Sequence, residues 1–175
     1  MNTDGFLKKE LSVNVPFSSF LIGVVGTVLY YYTLTFCLDM PPVWDAAAGV
    51  FSPAIYLYEN HYDLASLLQL GGYPQGGENV HSFSLITWIT ALTLSLTGGD
   101  KGLYLPLLHS MNFVFAGCIV GVAFNLVRRL RSSACALLVV GAIFISPLMS
   151  VQVSYVYTEV AGSLASLLTL FFWVR

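Results

Sequence analysis

The chain has 175 residues, of which 57% are hydrophobic and 9% are charged, and its formal net charge is −2. A soluble domain carries roughly 25% charged residues, so this chain has too few charges to cover a water-facing surface of its own. The composition therefore excludes an ordinary soluble domain, and the lack of a basic excess argues against a nucleic-acid-binding protein.

The first predicted element is a membrane-spanning helix over Val15–Leu38. This run contains no charged residue and exceeds the roughly 20 apolar residues that span a bilayer core. Lys8 and Lys9 precede it, and because basic residues stay preferentially on the cytoplasmic side, we place the amino terminus inside. The run is too long for the apolar part of a cleavable signal peptide, so we interpret it as a retained span.

Residues 39–102 are predicted to form one external region that contains interfacial helices. Val43–Asn60 has apolar residues at three- and four-residue spacing, which predicts a helix with a kink at Pro53. Asp63–Leu70 predicts another short helix. His81–Leu96 is apolar but only about 16 residues long and rich in Ser and Thr, so we interpret it as an interfacial or re-entrant helix and not as a span.

Further spans are predicted in the second half of the chain. Leu103–Val127 is followed at once by arginines, which are costly to bury in a bilayer and are placed in a cytoplasmic loop. Ala134–Met149 then runs outward, with Pro147 near its outer end, and Val160–Val174 returns to the cytoplasmic side. The predicted fold is an all-α membrane protein, a single transmembrane domain over residues 1–175 with four transmembrane helices plus interfacial helices in a long external first loop.

Two acidic residues stand out because both would lie at the external interface. Asp45 follows Trp44 at the start of the first external helix, and Glu159 follows Tyr157 closely at the outer mouth of the fourth span. Each has a plain structural explanation, Asp45 as a helix cap and Glu159 as a carboxylate near the positive end of a helix dipole. With both carboxylates on one side of a membrane, one can act as a general base while the other holds a metal.

His81 and Lys101 are secondary candidates on the same side. A histidine can bind a metal or move a proton, whereas a single interfacial histidine more often serves as a hydrogen-bonding anchor. Lys101 is the one basic residue that this topology places outside, where it would suit a phosphate. The cysteines each lie in an apolar run without a CxxC pair, which is typical of small packing residues.

Several short stretches carry a resemblance to a known family. They are Pro-Pro-Val-Trp-Asp at 41–45, Tyr-Leu-Tyr-Glu-Asn at 56–60, Gly-Gly-Glu-Asn-Val-His at 76–81, Ser-Pro-Leu-Met-Ser-Val-Gln-Val at 146–153 and Tyr-Thr-Glu-Val at 157–160. Together with the long external first loop, they resemble the protein-mannosyltransferase-like group of polyprenyl-phosphate-dependent glycosyltransferases with the GT-C fold. The chain departs from the family pattern where Ala46 follows Asp45 and where Ser82 follows His81.

The resemblance implies an inverting transfer of a sugar from a polyprenyl-phosphate donor to an acceptor hydroxyl at the external face. It implies Asp45 as the general base, Glu159 as a second catalytic residue, and either a divalent metal or a cationic side chain to stabilise the departing phosphate. The candidate ligands for a metal are Asp45, Glu159 and His81. Substrate contacts are expected from Trp44, His81, Lys101, Gln152 and Tyr157. The expected location is the bacterial plasma membrane, and the chain is expected to be an amino-terminal portion of a longer family architecture.

Two other functions stay open at this level. A non-catalytic membrane subunit or scaffold would have solvated carboxylates and spans that bind partner helices. A transporter fragment would place polar groups near the bilayer midplane, where the candidates in the second span are His109, Asn112 and Asn125.

Overall fold

The computed structural model describes residues 17–34, 38, 41, 46–69, 84–155 and 158–173. Within these ranges the elements are all helical, and no strand is found there. In chain order they are α1 (Phe17–Thr33), a π-helical segment (Ala46–Phe51), α2 (Ser52–Glu59), α3 (Leu64–Gln69), α4 (Leu85–Thr97), α5 (Lys101–Leu130), α6 (Ser133–Ile145), α7 (Pro147–Tyr155) and α8 (Thr158–Trp173). The predicted all-α class is thereby confirmed for the described residues.

The central element is α5, and the other long helices pack around it. Its 30 residues give a length of about 45 Å, which exceeds the roughly 30 Å hydrocarbon core of a bilayer. Among the described helices, α5 is the one that is long and apolar enough to cross a membrane by itself. Asp100 caps it by accepting a hydrogen bond from the Gly102 N–H (2.8 Å), and arginines occupy its last turn, where cations stabilise the helix dipole.

α1 lies antiparallel to α5. Near the start of α1, the Ser19 hydroxyl donates to Asn125 Oδ1 (3.3 Å). Near its end, the ring of Tyr31 stacks on Phe113 with centroids 5.3 Å apart. Later residues of α1 therefore contact earlier residues of α5, as expected for antiparallel helices.

Glycines allow the backbones of α1 and α5 to approach closely. A Cβ built on Gly117 would lie 2.9 Å from the Val24 Cα and carbonyl oxygen. One built on Gly121 would lie 2.7 Å from the Phe20 ring. Because a backbone atom cannot rotate away as a side chain can, Gly117 is the position where a larger residue would force the helices apart.

α6 and α8 complete the bundle. α6 turns back from α5 at Ser132, whose hydroxyl caps the first turn of α6. α8 runs parallel to α5, because Val160 shares a buried cluster with Phe113 while the Arg129 guanidinium lies 4.7 Å from the centre of the Phe171 ring. These directions agree with the alternating order predicted from the positions of lysine and arginine.

The structure interrupts the element predicted as one span over Ala134–Met149. α6 ends at Ile145 and α7 begins at Pro147, with a bend of 60° between the two helices. Proline has no N–H and clashes with the preceding turn, so Pro147 explains the break. Together, α6 and α7 have the length and composition that would suit one broken span or a re-entrant loop.

The π-helical segment and α2, α3 and α4 form an outer layer at the amino-terminal end of α5. Val50, Phe51 and Ile86 share a buried cluster with Leu105 and Leu108 in the first turns of α5. α4 has 13 residues and is about 20 Å long, shorter than a bilayer core. This length agrees with an interfacial helix, an interpretation that stays a prediction.

Candidate functional site

The predicted site residues divide into two groups. Those outside the described residues are Trp44, Asp45, His81 and Tyr157. Those that the structure describes are Lys101, Gln152 and Glu159.

Glu159 lies exposed in the first turn of α8. A carboxylate at this position meets the positive end of the helix dipole, as its structural explanation requires. Val160 is 1% exposed and shares a cluster with Phe113, whereas Ala161 packs against the cluster that contains Val50. The start of α8 therefore packs on the helix bundle and on the buried cluster that joins the outer layer to α5.

Gln152 lies half-buried on α7, and its main-chain carbonyl is held by α5. Asn112 Nδ2 donates to the carbonyl oxygens of Gln152 (3.2 Å) and Val153 (2.7 Å). α7 ends at Tyr155, so both carbonyls lie in its last turn. Asn112 therefore ties α7 to α5 through two main-chain carbonyls, while its own Oδ1 is buried without a partner.

Lys101 is exposed at the first residue of α5, away from the level of Gln152. Asn112 follows eleven residues later, which corresponds to about 16 Å along the helix axis. The structure therefore brings Gln152 and the start of α8 to one level of α5 and leaves Lys101 farther out.

A buried polar pair at this same level contributes to the site region. His109 and Asn112 are each 1% exposed and lie three residues apart on α5. Sequence reasoning considered them only for the transporter alternative, although a polar residue inside an apolar run is the usual signal of a functional or structural site. The ring of His109 lies 6.4 Å from that of Phe113, centre to centre.

The outer layer contains a polar pocket of about 440 Å³ that was not predicted from the sequence. Its lining includes Glu59 at the end of α2, His61 and Tyr62 from the turn after it, and Ser95 from α4. His61 and Tyr62 both have positive φ values, 52° and 63°. A left-handed pair without glycine has no clear sequence signal, because glycine or asparagine usually occupies such positions.

Tyr62 fixes this turn against α4. Its hydroxyl donates to the Ala91 carbonyl (3.0 Å) and lies 2.6 Å from Ser95 Oγ. Its ring lies parallel to that of Trp88, with centroids 6.4 Å apart. These contacts give the left-handed turn a defined place and so set the shape of the outer pocket.

The metal prediction rests mostly on residues beyond the described ranges. Within those ranges, no three His, Cys, Asp or Glu side chains are grouped so as to hold a metal ion. Of the candidate ligands Asp45, His81 and Glu159, the structure describes Glu159 alone. The metal therefore stays a prediction.

No protein-family model, curated protein or solved structure matches this chain. The family resemblance in the short stretches accordingly stays a prediction.

Proposed function

We propose that this chain belongs to a membrane glycosyltransferase that moves a sugar from polyprenyl phosphate to an acceptor hydroxyl on the external face. The observation that supports the proposal is one buried cluster on α5 that two segments of the chain contact. The π-helical segment follows Asp45 in the chain, and its Val50 and Phe51 belong to this cluster together with Leu105 and Leu108 of α5. Ala161, two residues after Glu159, packs against the same cluster, so the segments next to the two candidate acids meet one patch of α5.

The proposal includes a membrane arrangement with four spans, α1, α5, the bent pair α6–α7, and α8. Support comes from the large apolar side chains that these helices expose. In α6 alone, Leu137, Leu138 and Ile145 are 63%, 75% and 81% exposed. Water would disfavour such a surface, whereas lipid tails would cover it. The arginine end of the bundle would face the cytoplasm of a bacterial cell.

In the proposed reaction, Asp45 is the general base. Its carboxylate takes the proton of the acceptor hydroxyl while the acceptor oxygen forms a bond to the anomeric carbon. The bond between that carbon and the phosphate oxygen breaks with its electron pair, so that polyprenyl phosphate leaves and the configuration inverts. Binding donor and acceptor side by side supplies much of the rate.

The departing phosphate requires stabilisation of its charge. The candidates are Glu159 acting through a metal, His81, and Lys101 acting directly. Of these, the structure describes Glu159, which is exposed in the first turn of α8, and Lys101, which is exposed at the first residue of α5. No step of the reaction is assigned to the metal itself.

Replacing Asp45 with Asn tests the base. Membranes that contain the protein are supplied with radiolabelled polyprenyl-phosphate sugars, and label transferred to acceptor is counted. We expect Asp45→Asn to reduce transfer by about 10²–10⁴-fold, the usual contribution of a general base. Normal insertion with unchanged transfer would reject the assignment.

Asp63→Asn is the matched control. Hydrogen bonds from the Ser66 hydroxyl and N–H lower the pKa of the Asp63 carboxyl below its ordinary value. This carboxylate therefore caps α3 and is committed to that role. Asp63→Asn should retain sugar transfer within about twofold, because a surface substitution away from the site has a small effect.

The alternative is a non-catalytic subunit that binds partner helices through its spans. The exposed apolar side chains of α6 are compatible with this function as well as with lipid contact. Sugar transfer that is identical in membranes with and without the chain, combined with stable co-purification of a second membrane protein, would favour the subunit.

A further inference from the structure

α1 and α6 both pack on α5 but leave an apolar groove between them. The groove has a volume of about 420 Å³, within the range of roughly 300–1,000 Å³ that is typical of small-molecule sites. Gly23 and Gly26 line it on α1, Val120 and Phe124 on α5, and Leu137 on α6. From its first to its last residue on α1 it extends over about 12 Å.

The lining of the groove suits hydrocarbon. Its hydroxyl groups are engaged within the bundle, since Thr27 donates to the Gly23 carbonyl (2.7 Å) and Ser19 donates to Asn125 (3.3 Å). The remaining lining is aliphatic, aromatic or glycine. A polar ligand would therefore lose its hydration without compensation, whereas an alkyl chain would lose none.

The two ends of the groove differ in charge. At the outer end, the rings of Tyr30 and Phe144 meet edge to face with centroids 5.4 Å apart. At the inner end, the Arg128 guanidinium lies 6.0 Å from the centre of the Phe124 ring, which itself lines the groove. The groove therefore has a positive charge at its inner end and a pair of aromatic rings at its outer end.

We propose that the groove binds an acyl chain of an anionic glycerophospholipid from the cytoplasmic leaflet, with the lipid phosphate beside Arg128. Charge complementarity at the inner end selects this occupant. A helix is about 10–12 Å across and would displace α1 or α6. The polyprenyl donor would have its phosphate at the opposite end of the bundle. The inference requires the membrane arrangement but not the transferase activity.

Native mass spectrometry of the full chain tests the charge component. The purified protein is incubated with phosphatidylglycerol or with phosphatidylcholine of the same acyl composition, and the fraction that retains one lipid is measured. We expect the wild type to prefer phosphatidylglycerol by about fivefold, the effect of one arginine near an anionic headgroup. Arg128→Gln should reduce this preference to near unity. Arg131→Gln, an exposed substitution at the residue after α5, should leave it unchanged.

Filling the groove tests the chain component. A Cβ on Gly26 meets no atom within 4 Å, so Gly26→Leu places its side chain into open groove space. Retention of either lipid should fall about tenfold, the effect of displacing roughly two buried methylene groups. Gly162→Leu on α8, also in open space, is the control and should retain lipid as the wild type does.

Equal retention of both lipids by the wild type would overturn the proposal, as would a preference that survives Arg128→Gln. A dimer that excludes lipid and is lost in Gly26→Leu would assign the groove to a second copy and so reject the lipid. Thermal unfolding in detergent identifies a misfolded variant. Should Gly26→Leu misfold, the comparison of Arg128→Gln with Arg131→Gln decides the proposal alone.

Discussion

At the scale of single residues, Asn112 ties α7 to α5. Its amide donates to two carbonyls near the end of α7. Each of these hydrogen bonds between helices contributes about 0.5–1.5 kcal/mol to stability. Asn125 joins helices through one longer hydrogen bond, from the Ser19 hydroxyl of α1 to its Oδ1 (3.3 Å), because its amide donor meets the Gly121 carbonyl within its own helix.

Replacing Asn112 with Leu should therefore destabilise the protein more than the same change at Asn125. We expect Asn112→Leu to lower the free energy of unfolding by about 1–2 kcal/mol more than Asn125→Leu. Thermal unfolding in detergent provides the measurement, and hydrogen exchange of the α7 amides should increase for Asn112→Leu alone. Equal effects of both substitutions would contradict this role.

The sequence predicts such residues only in part. In the sequence, His109 and Asn112 stand out as polar residues within an apolar run. The hydrogen-bond partners of Asn112 lie about 40 residues away, beyond the reach of any local pattern. Likewise, Tyr62 contacts α4 across 29 residues. Contacts of this kind depend on tertiary packing, which periodicity does not encode.

At the scale of elements, the contact of α1 with α5 depends on glycine, and helix boundaries depend on caps. The predicted span Leu103–Val127 is observed as Lys101–Leu130, because Asp100 starts the helix earlier and Arg128 and Arg129 continue it at the other end. Apolar periodicity predicts a helix but not its capped ends. Pro147 indicates where the predicted span Ala134–Met149 is broken, whereas α7, the helix that begins at this proline, was not predicted as a separate element.

Gly117→Ala tests the close approach of the two helices. The new Cβ would lie 2.9 Å from the Val24 backbone, so we expect a loss of about 1–3 kcal/mol in the free energy of unfolding. Gly141→Ala is the matched control on α6, where no atom lies within 4 Å. The control should be neutral or stabilising by up to about 1 kcal/mol, because alanine favours helix. Unfolding in detergent measures both variants, and a neutral Gly117→Ala would contradict the packing.

At the scale of the whole molecule, the directions of the helices determine at which end of the bundle each charged residue lies. Arg128 and Arg129 lie near the start of α1 and the end of α8, whereas Asp63, Asp100 and Lys101 belong to the opposite end. The positions of lysine and arginine along the sequence predict this sorting, since each turn between long helices reverses the chain. The packing of Ala161 against the cluster that joins the outer layer to α5 was not predictable from the sequence, because it depends on tertiary packing.

Single-cysteine labelling tests this arrangement in cells. In a background without Cys37, Cys118 and Cys135, we introduce Gly76→Cys or Ser133→Cys and apply a thiol reagent that does not cross membranes. Gly76→Cys should react in intact cells, and Ser133→Cys should react only after the membrane is opened, because the two belong to opposite predicted sides. Reaction of both in intact cells would reject the four-span arrangement.

The length of α5 has a mechanical consequence. α5 is one continuous helix of about 45 Å, and the outer helices pack against the part of it that would extend beyond a hydrocarbon core of about 30 Å. If α5 tilted in a thinner bilayer, the polar pocket would lie closer to the headgroups, whereas an upright α5 would hold the pocket farther from them. Membrane thickness would thereby set the height at which the external face meets molecules arriving from solution.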